Sequence, residues 1–274
     1  MAVPDAPLTL MCVHAHPDDE AISTGGILAR YADEGVRTVL VTCTNGELGD
    51  GPGGVKPGDP GHTPQAVVGA RRTELEVSCA ALGVAHLELL GYHDSGMMGW
   101  PQNDAPDAFW HVDVHAAAAR LGALMERYRP QVVVTYDENG FYGHPDHIQA
   151  HRITVAALAN TNAVDKLYYP AVPDSAIPRL AELLSEHGLE VPAEIEDAPF
   201  GTPDEQISAV VDVSAVTDRK YDSLAAHASQ SDNIFFLTMG RQVFGAVFKE
   251  EAFVRAQDRT GAPVPENDLF AGVR

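Results

Sequence analysis

Five short apolar runs, each parted from the next by a stretch of helical periodicity, constrain this chain more than any other feature. They are "LTLMCVH" (Leu8–His14), "RTVLVTCT" (Arg37–Thr44), "HLELL" (His86–Leu90), "PQVVVTY" (Pro130–Tyr136) and "KLYYP" (Lys166–Pro170). Strands that are apolar at successive positions are covered on both faces, as in a parallel sheet held between two helical layers. Between them, Ser23 is placed to cap a helix that carries Ile27, Leu28 and Tyr31 and ends at Gly35. Val68, Leu75, Val77 and Leu82 recur at helical spacing over residues 67–82, which Gly83 stops; 113–127 and Asp146–Ala159 are two further helices. The order β-α-β-α-β-α-β-α-β predicts an α/β fold with a doubly wound, mainly parallel sheet of Rossmann-like type. "ISAVVDV" (Ile207–Val213) adds an edge strand, followed by a helix through His227.

Three connections exceed a simple turn: Asn45–Ala66, Gly91–Val112 and Ala171–Gln206. The first two leave strands at their carboxyl ends, where open α/β sheets bind ligands, and are expected to wall a pocket with Met97, Met98 and Trp100. The length suits a single catalytic domain over 1–274, with 171–206 as a variable loop region inside it. No run reaches the ~18 apolar residues of a membrane span, and the N-terminus lacks a basic, signal-type stretch, so the expected location is cytoplasmic. A net charge of −21 with no basic stripe argues against nucleic acid and anionic membranes as partners. Cys12, Cys43 and Cys79 show no metal-type pairing and are expected as small buried hydrophobes. Oligomeric state has no signature here.

Two blocks carry the chemistry. "HAHPDDE" (His14–Glu20) follows the first strand, and "YGHPDH" (Tyr142–His147) follows the fourth and opens a helix, so both fall on one edge of the sheet. The tripeptide His-Pro-Asp occurs in each, at His16 and at His144, and its proline fixes one φ angle in each turn. Catalytic zinc takes imidazole and carboxylate donors and keeps one position open. Two histidines and a carboxylate drawn from His16, Asp18, Asp19, His144 and His147 satisfy this, and the same set admits Fe2+. The adjacent acids Asp18 and Asp19 repel each other in an apolar setting, and a cation relieves that repulsion. A carboxylate beside a ligand, as Asp18 would be, is free to act on a water. No Gly-x-Gly-x-x-Gly follows the first strand, which argues against a dinucleotide-binding domain.

The blocks "AHPDDE" and "GHPDH" resemble the two signature motifs of the PIG-L (LmbE-like) zinc deacetylase family. The similarity covers most of the chain, including "VTCTNGELG", "RRTEL", "ALGV", "DSGM", "YDENGFYGHPDH" and "LAAHASQ". It is greatest to the family's mycothiol-pathway deacetylases and extends to the mycothiol-conjugate amidases. The resemblance implies an LmbE-like fold and a zinc-dependent hydrolase that removes the acetyl group of a small N-acetylglucosamine-type amino sugar. N-acetylglucosaminyl-inositol is the expected substrate, and the alternative is another amidase of the family, acting on a thioether conjugate or a natural-product intermediate. It further implies His16, Asp19 and His147 as zinc ligands and Asp18 as general base. His144 would stabilise the oxyanion, in protonated form, and help the leaving amine; Asp146 would orient His144 and tune its pKa. Tyr142 would be a mobile tyrosine reaching the substrate carbonyl, Arg71 a sugar-binding arginine and Met97 an apolar pocket residue. Residues 51–66 and 171–206 depart from the mycothiol enzymes and are expected to set substrate choice.

Overall fold

The computed structural model describes residues 7–189 and 201–274. The five apolar runs become β1 (Thr9–His14), β2 (Arg37–Thr44), β3 (His86–Tyr92), β4 (Val132–Val134) and β5 (Lys166–Pro173). They lie side by side in the order β3-β2-β1-β4-β5, and every neighbouring pair is parallel. A two-residue strand, β6 (Gly201–Thr202), pairs with the end of β5. Beyond β5 the sheet continues through β8 (Glu250–Asp258) to β7 (Ala209–Asp212), so β7 is an edge strand as its sequence predicts.

The antiparallel strand β8 has no counterpart in the sequence reading. Its segment, "EEAFVRAQD", offers only Phe253 as a large buried apolar side chain, so no run of hydrophobes marks it. The other buried side chain near its start is Glu251, which works elsewhere. Its carboxylate accepts the N–H groups of Gly26 and Ile27 at 2.7 and 2.8 Å and the Lys220 ammonium at 2.6 Å. Those two N–H groups open a helix, and helix starts leave N–H groups without intrahelical partners.

That helix corrects the expectation about Ser23. The chain turns first into a short helix, α1 (Asp19–Ser23), and restarts at α2 (Gly25–Asp33) after Thr24, which makes no side-chain capping bond. The cap comes instead from Glu251, far along the chain and outside the reach of any local capping pattern. Gly26 is what lets it in: a Cβ there would sit 2.6 Å from Val213 Cγ2 and 2.7 Å from Glu251 Oε1.

The sheet is covered on both sides, as a doubly wound fold requires. Leu10 and Cys12 of β1, Leu40 of β2 and Val132 and Val134 of β4 pack with α2 and with α3 (Pro64–Leu82). Met11, Val13, Val39, Val41 and Val133 face the other way, onto α4 (Val114–Tyr128) and α5 (Pro145–Leu158). Each fully buried Leu, Val or Met contributes about 1.5–3 kcal/mol. All three cysteines are buried, as expected.

The stretch 171–206 is not the single loop predicted. Its described part extends β5 to Pro173 and carries a helix, α6 (Ala176–Glu186), whose Leu184 is buried against Met239 and Val243. The rest of that region, 190–200, lies outside the described residues. Thr217–Ala226 forms α7, the helix foreseen through His227, and two short helices missed from the sequence follow, α8 (Ile234–Thr238) and α9 (Gly240–Val247). Among the described residues no helix is long and apolar enough to cross a membrane.

The chain runs from β1 outward to β2 and β3, then returns to place β4 on β1's other side. The strand order therefore switches between β1 and β4, where the loops diverge and leave a crevice. The two His-Pro-Asp blocks follow β1 and β4, and so meet at that point.

Candidate metal and active site

The turn after β1 is held open by strain. Asp18 has φ +124°, a region that non-glycine residues avoid, at a cost of order 1–3 kcal/mol. Three contacts hold it. Its N–H donates to Glu20 Oε2 at 3.0 Å, the preceding carbonyl of Pro17 accepts from Arg71 Nη2 at 2.5 Å, and its own Oδ1 lies 3.1 Å from the same guanidinium nitrogen. Glu20 is anchored in turn by His227 Nε2 at 2.7 Å and by the Ser78 hydroxyl, with Ser223 completing the buried chain. Burial lowers the pKa of His227, but Glu20 outweighs it and the net shift is upward.

The second block is positioned by its own helix. Pro145 opens α5, and His144 is its N-cap: Nδ1 accepts the N–H of Asp146 at 3.1 Å. That bond puts the proton of a neutral His144 on Nε2. Burial, and then the neighbouring His16 and His147, push its pKa down to about 2. With Nδ1 occupied, the ring presents Nε2 as an N–H donor whether it is neutral or protonated.

Between these blocks His16, Asp19 and His147 converge. Asp19 Oδ2 is 3.4 Å from His16 Nδ1, and Asp19 Oδ1 is 3.4 Å from His147 Nε2. His147 Nε2 is buried and makes no hydrogen bond. Both rings are fixed from behind: His16 Nε2 faces Asp146 Oδ2 at 3.2 Å, and His147 Nδ1 faces the Gly140 carbonyl at 3.2 Å. Such outer bonds set the tautomer so that the inner nitrogen presents its lone pair to a metal. Asp19 reaches the two rings through different oxygens, and among the described residues the sets whose three donors lie within 4.8 Å of one another are two others: His16, His144 and His147, and His16, Asp94 and Asp146. The tautomer argues against His144 as a ligand, because its Nδ1 is occupied and its Nε2 carries the proton. Asp94 and Asp146 approach His16 through Nε2, the outer nitrogen. The residues thus fit a divalent ion held by two imidazoles and one carboxylate, with Zn2+ and Fe2+ both suited to the donors.

The charges follow the geometry. Burial raises a carboxylate and lowers an imidazole, yet Asp19 lies well below its usual range because His147 and His16 oppose that effect. His16 lies well above, because Asp94, Asp146 and Asp19 face it. Asp18 is different: burial raises it to about 6, with Arg71 pulling the other way. That value suits a group that takes protons near neutral pH.

Two candidates stand elsewhere than expected. Asp146 orients His144 through its backbone N–H and raises its pKa by charge, as expected, but its carboxylate bonds elsewhere, to His16 and to the N–H of Ser95 at 2.9 Å and the Ser95 hydroxyl. Arg71 is 3% exposed; its Nη1 and Nη2 hold the Gly46 and Pro17 carbonyls and Asp18 while its buried Nε makes no hydrogen bond, so in this structure it braces the candidate base from behind. Tyr142 is 43% exposed and edge-on to His147, with ring centroids 5.0 Å apart. Met97 is 40% exposed, while its neighbour Met98 lines the cavity next to Tyr142.

Tyr136, Asp94 and Ser95 went unremarked in the sequence reading. The Tyr136 hydroxyl donates to Asp19 Oδ2 at 2.6 Å and accepts the Ala15 N–H at 3.0 Å, and its ring stacks on His147 at 4.1 Å. Its place at the end of an apolar run disguised it as a strand residue. Asp94 and Ser95 belong to "DSGM", where only Met97 was singled out.

Residues 11–158 match the family described as PIG-L: GlcNAc-PI de-N-acetylase. A 1D-myo-inositol 2-acetamido-2-deoxy-alpha-D-glucopyranoside deacetylase of Acidothermus cellulolyticus is 45% identical, over 97% of this chain and 95% of that one. Among solved structures, an N,N'-diacetylchitobiose deacetylase from Pyrococcus horikoshii aligns with TM-score 0.58 at 19% identity, over 91% of this chain and 84% of its own. The 4-carboxy-2-hydroxymuconate hydratase GalB from Pseudomonas putida KT2440 aligns with TM-score 0.62 at 20% identity, over 93% and 99%. A deacetylase and a hydratase thus share this fold, which by itself does not choose a reaction.

Proposed function

We propose, for a chain that belongs to the PIG-L family, that it removes the acetyl group from N-acetylglucosaminyl-inositol, the activity its near full-length relative is named for, and that the reaction depends on a divalent metal. The observation that carries the metal-dependent reading is the buried, unpartnered Nε2 of His147, aimed at Asp19 beside His16. His16, Asp19 and His147 would hold the ion. Bound there, Zn2+ would act as a Lewis acid and make water a stronger nucleophile near neutral pH.

The remaining work falls to the chain's own residues. Asp18, held by Arg71 and by the Glu20 bond to its N–H, accepts the proton of the attacking water. His144 donates from Nε2 to the oxygen on which negative charge develops, with its ring fixed by the Asp146 N–H. The Tyr142 hydroxyl, on a half-exposed side chain whose ring packs against His147, would add a second donor. The amine must leave protonated, since an amide anion is a very poor leaving group; the proton taken by Asp18 is returned to it. The products are acetate and a free amino sugar.

The test is acetate release from N-acetylglucosaminyl-inositol by the purified protein, before and after metal is stripped and restored. Activity that disappears on stripping and returns with Zn2+ or Fe2+ supports the reading. Cleavage of thioether conjugates with no action on any N-acetylglucosamine compound would replace it by the sister amidase reading.

A further inference from the structure

The loop between β3 and α4 reaches the metal ligands through a residue that lies outside them. Asn103 sits in a short turn of 3-10 helix, Pro101–Asp104, and both ends of its side-chain amide are used. Nδ2 donates to the carbonyls of Ser95 at 2.6 Å and Met97 at 3.1 Å, and Oδ1 accepts the N–H of Gly99 at 2.7 Å. The Asn103 carbonyl accepts from His111 Nε2 at 2.7 Å, which ties this turn to the far end of the loop.

The peptide that Asn103 holds is the one between Ser95 and Gly96. Its carbonyl goes to Asn103 and its N–H goes to Asp94 Oδ1 at 2.8 Å, so the plane is fixed from both sides. Gly96 makes that plane possible: its φ is +70°, and a Cβ there would sit 2.9 Å from Trp100 Cε3. Ser95 is fully buried. Its N–H donates to Asp146 Oδ2 at 2.9 Å, and its hydroxyl donates to Asp146 Oδ1 while accepting the N–H of Trp110 at 2.9 Å. The hydroxyl has one hydrogen, and the Trp110 bond leaves it directed at Asp146. Two donors from one residue, one to each oxygen, fix both the position and the plane of the carboxylate. That carboxylate faces His16 Nε2 at 3.2 Å and leaves His16 Nδ1 towards Asp19.

We infer that Asn103 is a positioning residue for His16. It locks the Ser95–Gly96 peptide, Ser95 holds the Asp146 carboxylate, and Asp146 orients the imidazole, as outer partners of metal-ligating histidines do. The inference rests on the metal-dependent reading proposed above. It places a determinant of metal affinity in the loop after β3, three hydrogen bonds away from the ligand ring.

The test is Zn2+ affinity of the full-length protein, read by competition with a chromogenic chelator, together with the visible absorption of the Co2+-loaded form, which reports the geometry around the ion. Asn103→Asp keeps the shape of the side chain but sets a carboxylate oxygen against the Ser95 and Met97 carbonyls. It should weaken Zn2+ affinity about tenfold and shift the Co2+ bands, and Ser95→Ala, which removes one of the two donors to Asp146, should do the same. Because both act through Asp146, Asn103→Asp should cost less in a Ser95→Ala background than in the wild type. Asn103→Ala removes the clamp without adding a charge and should also weaken Zn2+ binding, with far-UV circular dichroism like that of the wild type, so that lost affinity is not a lost fold. Unchanged affinity and an unchanged Co2+ spectrum in both Asn103 variants, whatever KM does, would make Asn103 a staple of the loop alone and overturn the inference. Full additivity of Asn103→Asp and Ser95→Ala would overturn it as well. A wild type that binds no divalent ion would overturn the metal-dependent reading itself, a result distinct from either.

Discussion

Glu20 and His227 stand 207 residues apart and meet at 2.7 Å, Oε1 to Nε2, with neither side chain exposed to solvent. The other oxygen of Glu20 holds the N–H of the strained Asp18. A histidine just past the end of α7, beyond residues 11–158 that match the family, thereby fixes the residue assigned as general base. His227→Gln should lower kcat about 10- to 100-fold with metal content unchanged, the size typical of outer partners in metal sites. Joint loss of metal and activity would show that His227 supports the whole turn and not Asp18 in particular. Metal analysis alongside initial rates separates the two.

Arg71 separates two roles in the same way. Buried against Asp18, it should act on kcat: Arg71→Lys keeps a charge but loses the fork that holds Pro17 and Asp18 together, and should cost about tenfold or more in kcat with little change in KM. A raised KM with unchanged kcat would restore the sugar-binding role that the family resemblance implies.

Tyr136→Phe removes the hydroxyl that donates to Asp19 and accepts from Ala15. Metal affinity should weaken about 10- to 100-fold, read by competition with a chromogenic chelator. An unchanged affinity would exclude Asp19 as a ligand oriented by Tyr136.

The cysteines should be silent. Cys12, Cys43 and Cys79 are buried in the two faces of the core, and burial pushes each thiol above its ordinary pKa. An aromatic disulfide reagent should titrate none in the native protein and all three after denaturation. Fast reaction of any one in the native state would contradict the packing described.

Acid stability should depend on the C-terminal lock. Burial raises the Asp268 carboxyl, but hydrogen bonds from Arg274, the Phe270 N–H and the Tyr31 hydroxyl outweigh it, and its pKa lies below the usual value. A carboxyl depressed on folding contributes stability above its unfolded pKa, and that contribution fades as pH falls through the folded value. Asp268→Asn should therefore lower Tm near neutral pH by about 2–4 °C for a loss of about 1 kcal/mol, with the difference from wild type shrinking below pH 4. A difference that is constant across pH would assign the effect to packing alone.

The parallel half of the sheet and the place of both His-Pro-Asp blocks were legible because each depends on a local pattern: an apolar run, a helical period, a polar block at a strand's end. The antiparallel half was not. β8 is marked by one buried phenylalanine, and its Glu251 looks like a surface acid until the fold brings it onto the start of α2. The site divides along the same line. His16, Asp19 and His147 could be picked out by residue type and spacing, whereas the bracing of Asp18 by Arg71, Glu20 and His227 depends on contacts between distant segments. Asp146 shows the limit within one motif: its backbone N–H fixes His144, two residues away, while its carboxylate turns to His16, which lies 130 residues away.

The central claim is that one divalent ion at His16, Asp19 and His147 makes this chain a deacetylase. Metal content and acetate release from N-acetylglucosaminyl-inositol, measured on the same preparations of wild type and His147→Ala, test it most directly. The wild type should carry about one Zn2+ or Fe2+ per chain and release acetate, and His147→Ala should do neither. Full metal occupancy in His147→Ala, or undiminished acetate release from metal-free wild type, would contradict it.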